Sequence, residues 1–174
     1  FLALLQALLR LLQRLQLVVA RAVVLAADRQ LAALQGESCL ADLGRRLDPA
    51  SLERLRRDGK RGVEVQPILA DGLSAVATMV AGPELLATFS AECGKRGWTV
   101  GTPLCAKFAR VWLEDEIGQE VDAKVAVILL GERPGLGTGD GLSAYLVYEP
   151  RIGKTDGDRN MMSNIHARGT PPAE

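Results

Sequence analysis

The sequence predicts an α/β fold in which an open, mostly parallel sheet is flanked by helices. From Val63 onward, strand-like and helix-like segments alternate, the order that builds a parallel sheet with helices on its faces. Within this part, residues 123–130 form a nearly continuous run of aliphatic and β-branched side chains, which is typical of a strand buried on both faces. A chain of 174 residues with 48% apolar residues can bury such a core.

Before this domain, residues 1–62 are predicted to form an N-terminal helical segment. Within 1–27 the polar side chains recur three, four or seven residues apart, so they gather on one side of a helix whose other faces are apolar. No apolar run approaches 18 residues and arginines interrupt the segment, which argues against a membrane span. We therefore predict a helix that is buried against its own protein or a partner.

A short charged helix and a polar linker separate this segment from the α/β domain. Asp48 and Pro49 are a helix-start signal, and the helix is predicted to run through Arg57. The glycine-containing run 58–62 follows it, which makes 63–174 the predicted α/β domain.

Six elements are predicted in the α/β domain. They are a strand at 63–70 with a turn at Asp71-Gly72, a helix at 73–93 with a candidate break at Gly82-Pro83, a strand within 98–109, a short helix opening at 115–118, the buried strand at 123–130, and a strand at 143–148.

Composition excludes several classes of function. The 21 basic residues balance 21 acidic ones, so no net charge attracts nucleic acid, and 4% aromatic residues give no stacking platform for single strands. A single histidine excludes a multi-histidine metal site. The three cysteines are far apart and form no C-x-x-C, so we predict reduced, buried thiols.

Two glycine-containing motifs fail as phosphate-binding loops. The run 135–141 is rich in glycine but gives G-x-G-x-x-G in neither register, and a strand instead of a helix is predicted after it. Gly153-Lys154-Thr155 matches the end of a Walker A motif, but Tyr148 stands where the first glycine is required.

The segment Asn164-Ile-His166-Ala-Arg-Gly169 is close to D-x-H-x-x-G, by which some cobalamin proteins offer a histidine to cobalt. Asparagine replaces the aspartate that would orient the imidazole as an anion. We therefore predict that His166 is a structural or interfacial histidine and that the chain holds no metal through its own side chains.

The loop after the buried strand is the best candidate for a binding site. Glu132 lies at the carboxyl end of that strand, where open α/β sheets bind ligands. Its carboxylate could accept hydrogen bonds from amide donors of a large ligand, or it could form a surface ion pair with Arg133 or a neighbour. The residues alone leave two further classes open, a non-catalytic α/β ligand-binding module and a structural partner subunit.

Several motifs resemble the small (light) subunit of ethanolamine ammonia-lyase, and they occur along this chain in the same order and with the same spacing as in that family. The resemblance covers residues 42–174 and does not extend to residues 1–35. It rests on the segments 42–47, 65–75, 110–118, 131–137 (Gly-Glu-Arg-Pro-Gly-Leu-Gly), 142–145, 158–159, 162–166 and 169–174.

The resemblance implies a subunit of an adenosylcobalamin-dependent lyase that converts ethanolamine to acetaldehyde and ammonia. In this family a large catalytic subunit holds the substrate, and the small subunit, a Rossmann-like cobalamin-binding domain, covers the cofactor at the interface of a hetero-oligomer. Family positions that contact the cofactor carry over to Val111, Glu132 and Met162, the last where cysteine is usual. The cofactor keeps its own benzimidazole on cobalt (base-on).

The resemblance further implies that this chain supplies no catalytic residue and that the enzyme is cytoplasmic, within a bacterial microcompartment. The family continues beyond Glu174 into a helix. Pro171 and Pro172 are consistent with the start of that helix, so we expect the chain to be part of a longer protein.

Overall fold

The computed structural model describes residues 23–26, 44–133, 139 and 141–171. These residues form six strands, three α-helices and one 3-10 turn. In chain order the elements are β1 (Val23–Ala26), α1 (Pro49–Asp58), β2 (Val65–Ala70), α2 (Ala75–Lys95), β3 (Leu104–Lys107), α3 (Leu113–Glu120), β4 (Val125–Gly131), β5 (Leu142–Tyr148), a 3-10 turn (Asp156–Asp158) and β6 (Arg159–Ile165).

All six strands belong to one mixed sheet with the order β1-β3-β2-β4-β5-β6. The first four strands in that order are parallel, and β5 and β6 are added antiparallel at one end. The predicted α/β sheet with helices on its faces is thus confirmed, and its parallel part carries an antiparallel extension.

Apolar clusters cover the two faces of the sheet. On one face, Leu113 and Ile117 of α3 and Leu55 of α1 pack with inward residues of the strands such as Ile68. On the other face, Leu86 of α2 packs with the next residue of β2, Leu69, because successive side chains of a strand point to opposite faces. The helices that follow β2 and β3 therefore lie on opposite sides of the sheet.

Side-chain caps begin two of the helices. The Asp48 carboxylate accepts a hydrogen bond from the Ser51 N–H at 3.0 Å, and Pro49 occupies the first turn of α1, as predicted. The Ser74 hydroxyl accepts from the Ala77 N–H at 3.2 Å at the start of α2. Helix α2 continues through Gly82-Pro83 without a break, and the absence of a side chain at Gly82 lets the helix pack closely on Leu69.

Two strands correct the sequence-based description. Residues 23–26, predicted as helix, form a strand that pairs with β3; the rest of the predicted helix at 1–35 lies outside the described residues. Residues 162–164, for which the sequence predicted no strand, belong to the edge strand β6. The side chains of β6 are exposed almost throughout, so its sequence lacks the alternation of polar and apolar residues that predicts a strand.

The domain boundary at residue 62 stays a prediction. Leu47 and Leu55, which precede it, belong to the same apolar cluster as residues from β2 and α3. Cys93 is a buried free thiol, as predicted, whereas Cys105 is a free thiol that is only partly buried, and Cys39 lies outside the described residues. Among the described helices none is long and apolar enough to cross a membrane.

Candidate functional site

The site forms at the carboxyl ends of the parallel strands β2, β3 and β4. The chain leaves β2 toward α2 on one face and leaves β3 toward α3 on the other face. Loops that diverge in this way leave a crevice at the strand ends, which is where open α/β sheets bind ligands.

This crevice contains a cavity of about 240 Å³, which we call the inner cleft. Its walls come from the segments after β2 and β3, from the end of β4 and from β5. The lining residues are Gly72, Leu73, Arg110, Val111, Trp112, Leu130, Gly131, Glu132, Tyr145 and Asp156.

Hydrogen bonds between neighbouring strand ends hold the inner cleft open in one shape. The Asp71 carboxylate accepts from the N–H groups of Phe108 and Ala109 at 2.7 and 3.0 Å, which joins the end of β2 to the end of β3. Arg110 Nη1 donates to the Gly72 carbonyl at 2.9 Å across the same gap. Because these contacts form within the chain, the cleft is preorganised before any ligand binds.

Gly131 forms the floor of the inner cleft, where β4 approaches the start of α2. A Cβ at Gly131 would overlap the Ser74 carbonyl oxygen and the Thr78 hydroxyl.

We expect Gly131→Ala to lower the free energy of unfolding by about 1–3 kcal/mol, because the backbone of α2 would have to move. Urea denaturation measures this loss. In the matched variant Gly94→Ala, the new methyl group meets nothing within 4 Å and helix propensity predicts a gain instead; equal losses in both would contradict the argument.

Glu132 lies at the rim of the inner cleft, directly after β4. Its N–H donates to the Gly141 carbonyl at 3.0 Å, and its carboxylate accepts a hydrogen bond from the Tyr145 hydroxyl at 3.3 Å. Burial, and then the negative charge of Glu132, raise the pKa of Tyr145, so this hydroxyl stays a donor. Within the described residues the carboxylate forms no ion pair with Arg133 or another cation, in contrast to the surface-pair interpretation.

A second, wider cavity of about 560 Å³ continues from Glu132 and Tyr145 toward β6, and we call it the outer cleft. The two clefts share these two side chains, so together they form one extended concave surface. The lining residues of the outer cleft are Glu132, Arg133, Gly141, Leu142, Ser143, Tyr145, Met161, Ser163, Asn164 and His166.

The three predicted contact residues are not all on this surface. Val111 and Glu132 both line the inner cleft. Met162 is 54% exposed and pairs with Ala144, whose side chain packs on the α2 side of the sheet. Its neighbour Met161 pairs with Tyr145 and lines the outer cleft, because paired residues of antiparallel strands share a face. The contact at Met162 stays a prediction, and Met161 is the methionine that faces Glu132.

His166 lies at the far end of the outer cleft and is held by its own turn. Its Nδ1 accepts a hydrogen bond from the Arg168 N–H at 3.2 Å, so the neutral imidazole carries its proton on Nε2. Its backbone N–H donates to the Thr170 carbonyl at 3.1 Å. These contacts agree with the structural role predicted for His166.

A buried ionic cluster joins α3 to β6. Arg159 donates to Glu114 at 2.8 Å and to both oxygens of Asp115 at 2.6 and 3.0 Å. All three side chains are at most 4% exposed. Burial raises the pKa of Glu114 to about 8 despite the opposing charge of Arg159. One cation therefore neutralises one of two carboxylates, and Glu114 holds a proton at neutral pH.

Sequence reasoning missed the residues that hold this surface together. Arg110, Trp112 and Tyr145 lie in segments whose resemblance to the family was recognised, but no local pattern shows that they meet. The one available signal was the repeated pentapeptide at 71–75 and 140–144. The Leu73 N–H, in the first copy, donates to the Gly131 carbonyl at 2.8 Å, and the Glu132 N–H donates to the carbonyl of Gly141, in the second copy, at 3.0 Å. Both copies of the pentapeptide therefore lie beside the end of β4.

The described residues contain no group of three or more His, Cys, Asp or Glu side chains that could hold a metal ion.

The family model described as "Ethanolamine ammonia-lyase light chain (EutC)" matches residues 4–174 of the chain. The match thus confirms the resemblance and extends it to most of residues 1–35, where the sequence motifs had given none.

Proposed function

Because the chain belongs to the ethanolamine ammonia-lyase light-chain family, we propose that its two clefts cover adenosylcobalamin at the interface with the large catalytic subunit. The complex would convert ethanolamine to acetaldehyde and ammonia. The observation that carries this proposal is that Val111 and Glu132, both expected to contact the cofactor, line one cleft at the carboxyl ends of parallel strands.

The chemistry of this surface fits one side of a corrin. A corrin ring is broad and largely apolar, and amide side chains at its edge donate hydrogen bonds. Val111, Leu73 and Met161 offer apolar contacts, and the carboxylate of Glu132 is an acceptor at the junction of the two clefts. Cavities of about 240 and 560 Å³ are too small to enclose the whole cofactor, so a partner would have to cover its other side.

In this proposal the bound cofactor supplies the radical chemistry, and the large subunit holds the substrate. Residues of this chain bind and orient the cofactor and exclude water from one of its sides. His166 would not replace the benzimidazole of a base-on cofactor, since its Nδ1 already accepts a hydrogen bond from the Arg168 N–H at 3.2 Å within its own turn. The family also supports a cytoplasmic complex within a bacterial microcompartment.

The variant Glu132→Ala tests the proposal in the complex of this chain with the large subunit. We expect the affinity for adenosylcobalamin to fall ten- to a hundredfold, since a charge-assisted hydrogen bond contributes about 1.5–3 kcal/mol. Spectroscopic titration of the apo complex with the cofactor measures this change. The thermal midpoint should stay within about two degrees, because Glu132 follows the buried strand and its loss leaves no core cavity.

Glu84→Ala is the matched control, because Glu84 is an exposed carboxylate on α2 that lines neither cleft. It should leave the affinity for adenosylcobalamin unchanged. A complex that binds no corrinoid would contradict the proposal and favour a structural subunit. Unchanged cofactor affinity with a large loss of stability in Glu132→Ala would assign Glu132 a structural role.

A further inference from the structure

The inner and outer clefts meet at two side chains, those of Glu132 and Tyr145. These are the two residues that the linings of both clefts have in common. A ligand that extends from one cleft into the other would therefore pass over this pair. Glu132 is a predicted contact residue, whereas Tyr145 is not, and its place beside Glu132 calls for a role of its own.

Strand geometry brings the two side chains to the same face of the sheet. Tyr145 of β5 pairs with Ile128 of β4, and paired residues of antiparallel strands share a face. Ile128, Leu130 and Glu132 follow one another at intervals of two residues, so the alternation of β4 directs Glu132 to that face as well. The Glu132 N–H donates to the Gly141 carbonyl at 3.0 Å, which continues the pairing of β4 with β5 as far as this residue.

The ring of Tyr145 is fixed by packing, and its hydroxyl in turn restrains Glu132. The ring packs against the apolar cluster that contains Ile128 and Leu130. The hydroxyl donates to Glu132 Oε1 at 3.3 Å, and among the residues that the structure describes no other side chain bonds to this carboxylate. A distance of 3.3 Å is long for a hydroxyl group and a carboxylate, which leaves room for the contact to tighten when a ligand binds.

The contact with Tyr145 uses only part of the acceptor capacity of Glu132. The two oxygens of a carboxylate offer about four acceptor sites, and the Tyr145 hydroxyl takes one of them, on Oε1. The remaining sites are available to hydrogen-bond donors such as the amides at the edge of a corrin. Because Tyr145 already restricts the side chain of Glu132, less conformational entropy is lost when such a donor binds.

From these observations we propose that Tyr145 is a positioning residue, whose hydroxyl holds the Glu132 carboxylate at the junction of the two clefts as an acceptor for amide donors of the ligand. Tyr145 acts through Glu132 and needs no contact of its own with the ligand. The inference rests on the proposed function, which makes that ligand adenosylcobalamin.

A double-mutant cycle in the complex with the large subunit tests this role. We expect Tyr145→Phe, which removes one oxygen atom and keeps the ring, to weaken adenosylcobalamin binding about three- to tenfold, the effect of one modest hydrogen bond. In the Glu132→Ala background the same change should alter the affinity less than about twofold, because the group that Tyr145 positions is gone. Tyr148→Phe is the matched control, since Tyr148 lies on the same strand, is 63% exposed and lines neither cleft.

The two backgrounds separate positioning from other roles of the tyrosine. An equal effect of Tyr145→Phe with and without Glu132 would overturn the proposal, because Tyr145 would then act on the ligand directly or through the fold. An unchanged affinity in Tyr145→Phe, or an equal loss in Tyr148→Phe, would overturn it too. Thermal denaturation of each variant shows that it is folded.

A second measurement tests the contact in the full chain without any cofactor. The chain contains two tyrosines, so Tyr148→Phe leaves Tyr145 as the one phenol whose ionisation appears in the ultraviolet absorbance. Burial, and then the negative charge of Glu132, raise the pKa of Tyr145, so adding Glu132→Ala should lower this pKa. Both proteins share the other charged or titratable side chains of the two clefts, which are Arg110, Asp156, Arg133 and His166.

The outcomes distinguish this inference from the proposed function. A pKa of Tyr145 that Glu132→Ala leaves unchanged would overturn the contact and the positioning role. A complex that binds corrinoid without coupling between the two side chains would overturn the positioning role alone. A parent complex that binds no corrinoid would overturn the proposed function, and the role of Tyr145 toward that ligand with it.

Discussion

Arg159→Met is expected to lower the free energy of unfolding by about 3–5 kcal/mol. Arg159 is 3% exposed and is the cation that neutralises Asp115, itself 4% exposed, through two hydrogen bonds. Methionine keeps most of the aliphatic stem but leaves a buried carboxylate without a partner charge. The same side chain joins the edge strand β6 to α3, so its loss should also loosen the edge that carries Met161. Urea denaturation at pH 7 measures the change.

Two further variants separate this electrostatic effect from general damage. Arg57→Met removes an exposed arginine paired with Asp58 at 2.8 Å and should leave the free energy of unfolding nearly unchanged, because solvent screens this surface pair. Adding Asp115→Asn to Arg159→Met removes the stranded charge and should recover at least half of the loss. A loss below about 1 kcal/mol in Arg159→Met would show that water reaches Asp115 and solvates its carboxylate.

Features set by local chemistry could be read from the sequence. Strand β4 was predicted because its aliphatic residues suit burial on both faces, and Ala126 to Leu130 are in fact buried. Helix α1 was predicted from Asp48 and Pro49, which act within one turn. Glu132 was singled out because a carboxylate follows a buried strand, and it lies at the junction of two clefts.

Features that depend on pairing between strands distant in the chain could not be predicted from the sequence. Strand β1 consists of four residues in a leucine-rich segment whose periodicity favours a helix, and its pairing partner β3 lies about 80 residues later. Strand β6 is an exposed edge strand without alternation. The choice between Met161 and Met162 depends on which of them pairs with Tyr145, and a shift of one residue exchanges the two faces.

The same limit applies to the charged groups. Glu114, Asp115 and Arg159 look like ordinary surface residues in the sequence, since such side chains are rarely buried. Only the packing of β6 against α3 makes them a closed cluster, with one cation facing two carboxylates. The resemblance to a family identified Asp158-Arg159 as a shared motif but gave no role for it.

The buried cluster also predicts how stability depends on pH. The pKa of Glu114 is raised from 4.5 to about 8, chiefly by burial. As the pH rises above 4.5, Glu114 in the unfolded chain loses its proton, whereas the folded protein retains it. The folded state then binds more protons, so the free energy of unfolding falls until the pH passes about 8. The total contribution of this group is a loss on the order of 5 kcal/mol.

Glu114→Gln isolates this contribution, because glutamine has nearly the same shape as the protonated carboxyl group and does not titrate. Its carbonyl oxygen can still accept the hydrogen bond that Arg159 donates to Glu114 at 2.8 Å. At pH 5 the free energies of unfolding of the variant and the parent chain should differ by less than about 1 kcal/mol, since Glu114 is protonated and neutral in the folded parent at that pH. At pH 9 the variant should be the more stable by several kcal/mol, since the parent then buries a second negative charge beside Asp115.

Urea denaturation of both proteins at pH 5, 6, 7, 8 and 9 gives the two curves, and their difference should grow between pH 5 and pH 8 and then level off. Glu92→Gln is the control, because Lys95 lowers the pKa of this exposed carboxyl group below 4.5, so nothing titrates there within the range. If the curves of Glu114→Gln and the parent stay parallel, Glu114 is ionised at neutral pH. Arg159 would then face two charged carboxylates, those of Glu114 and Asp115, and would neutralise neither of them fully.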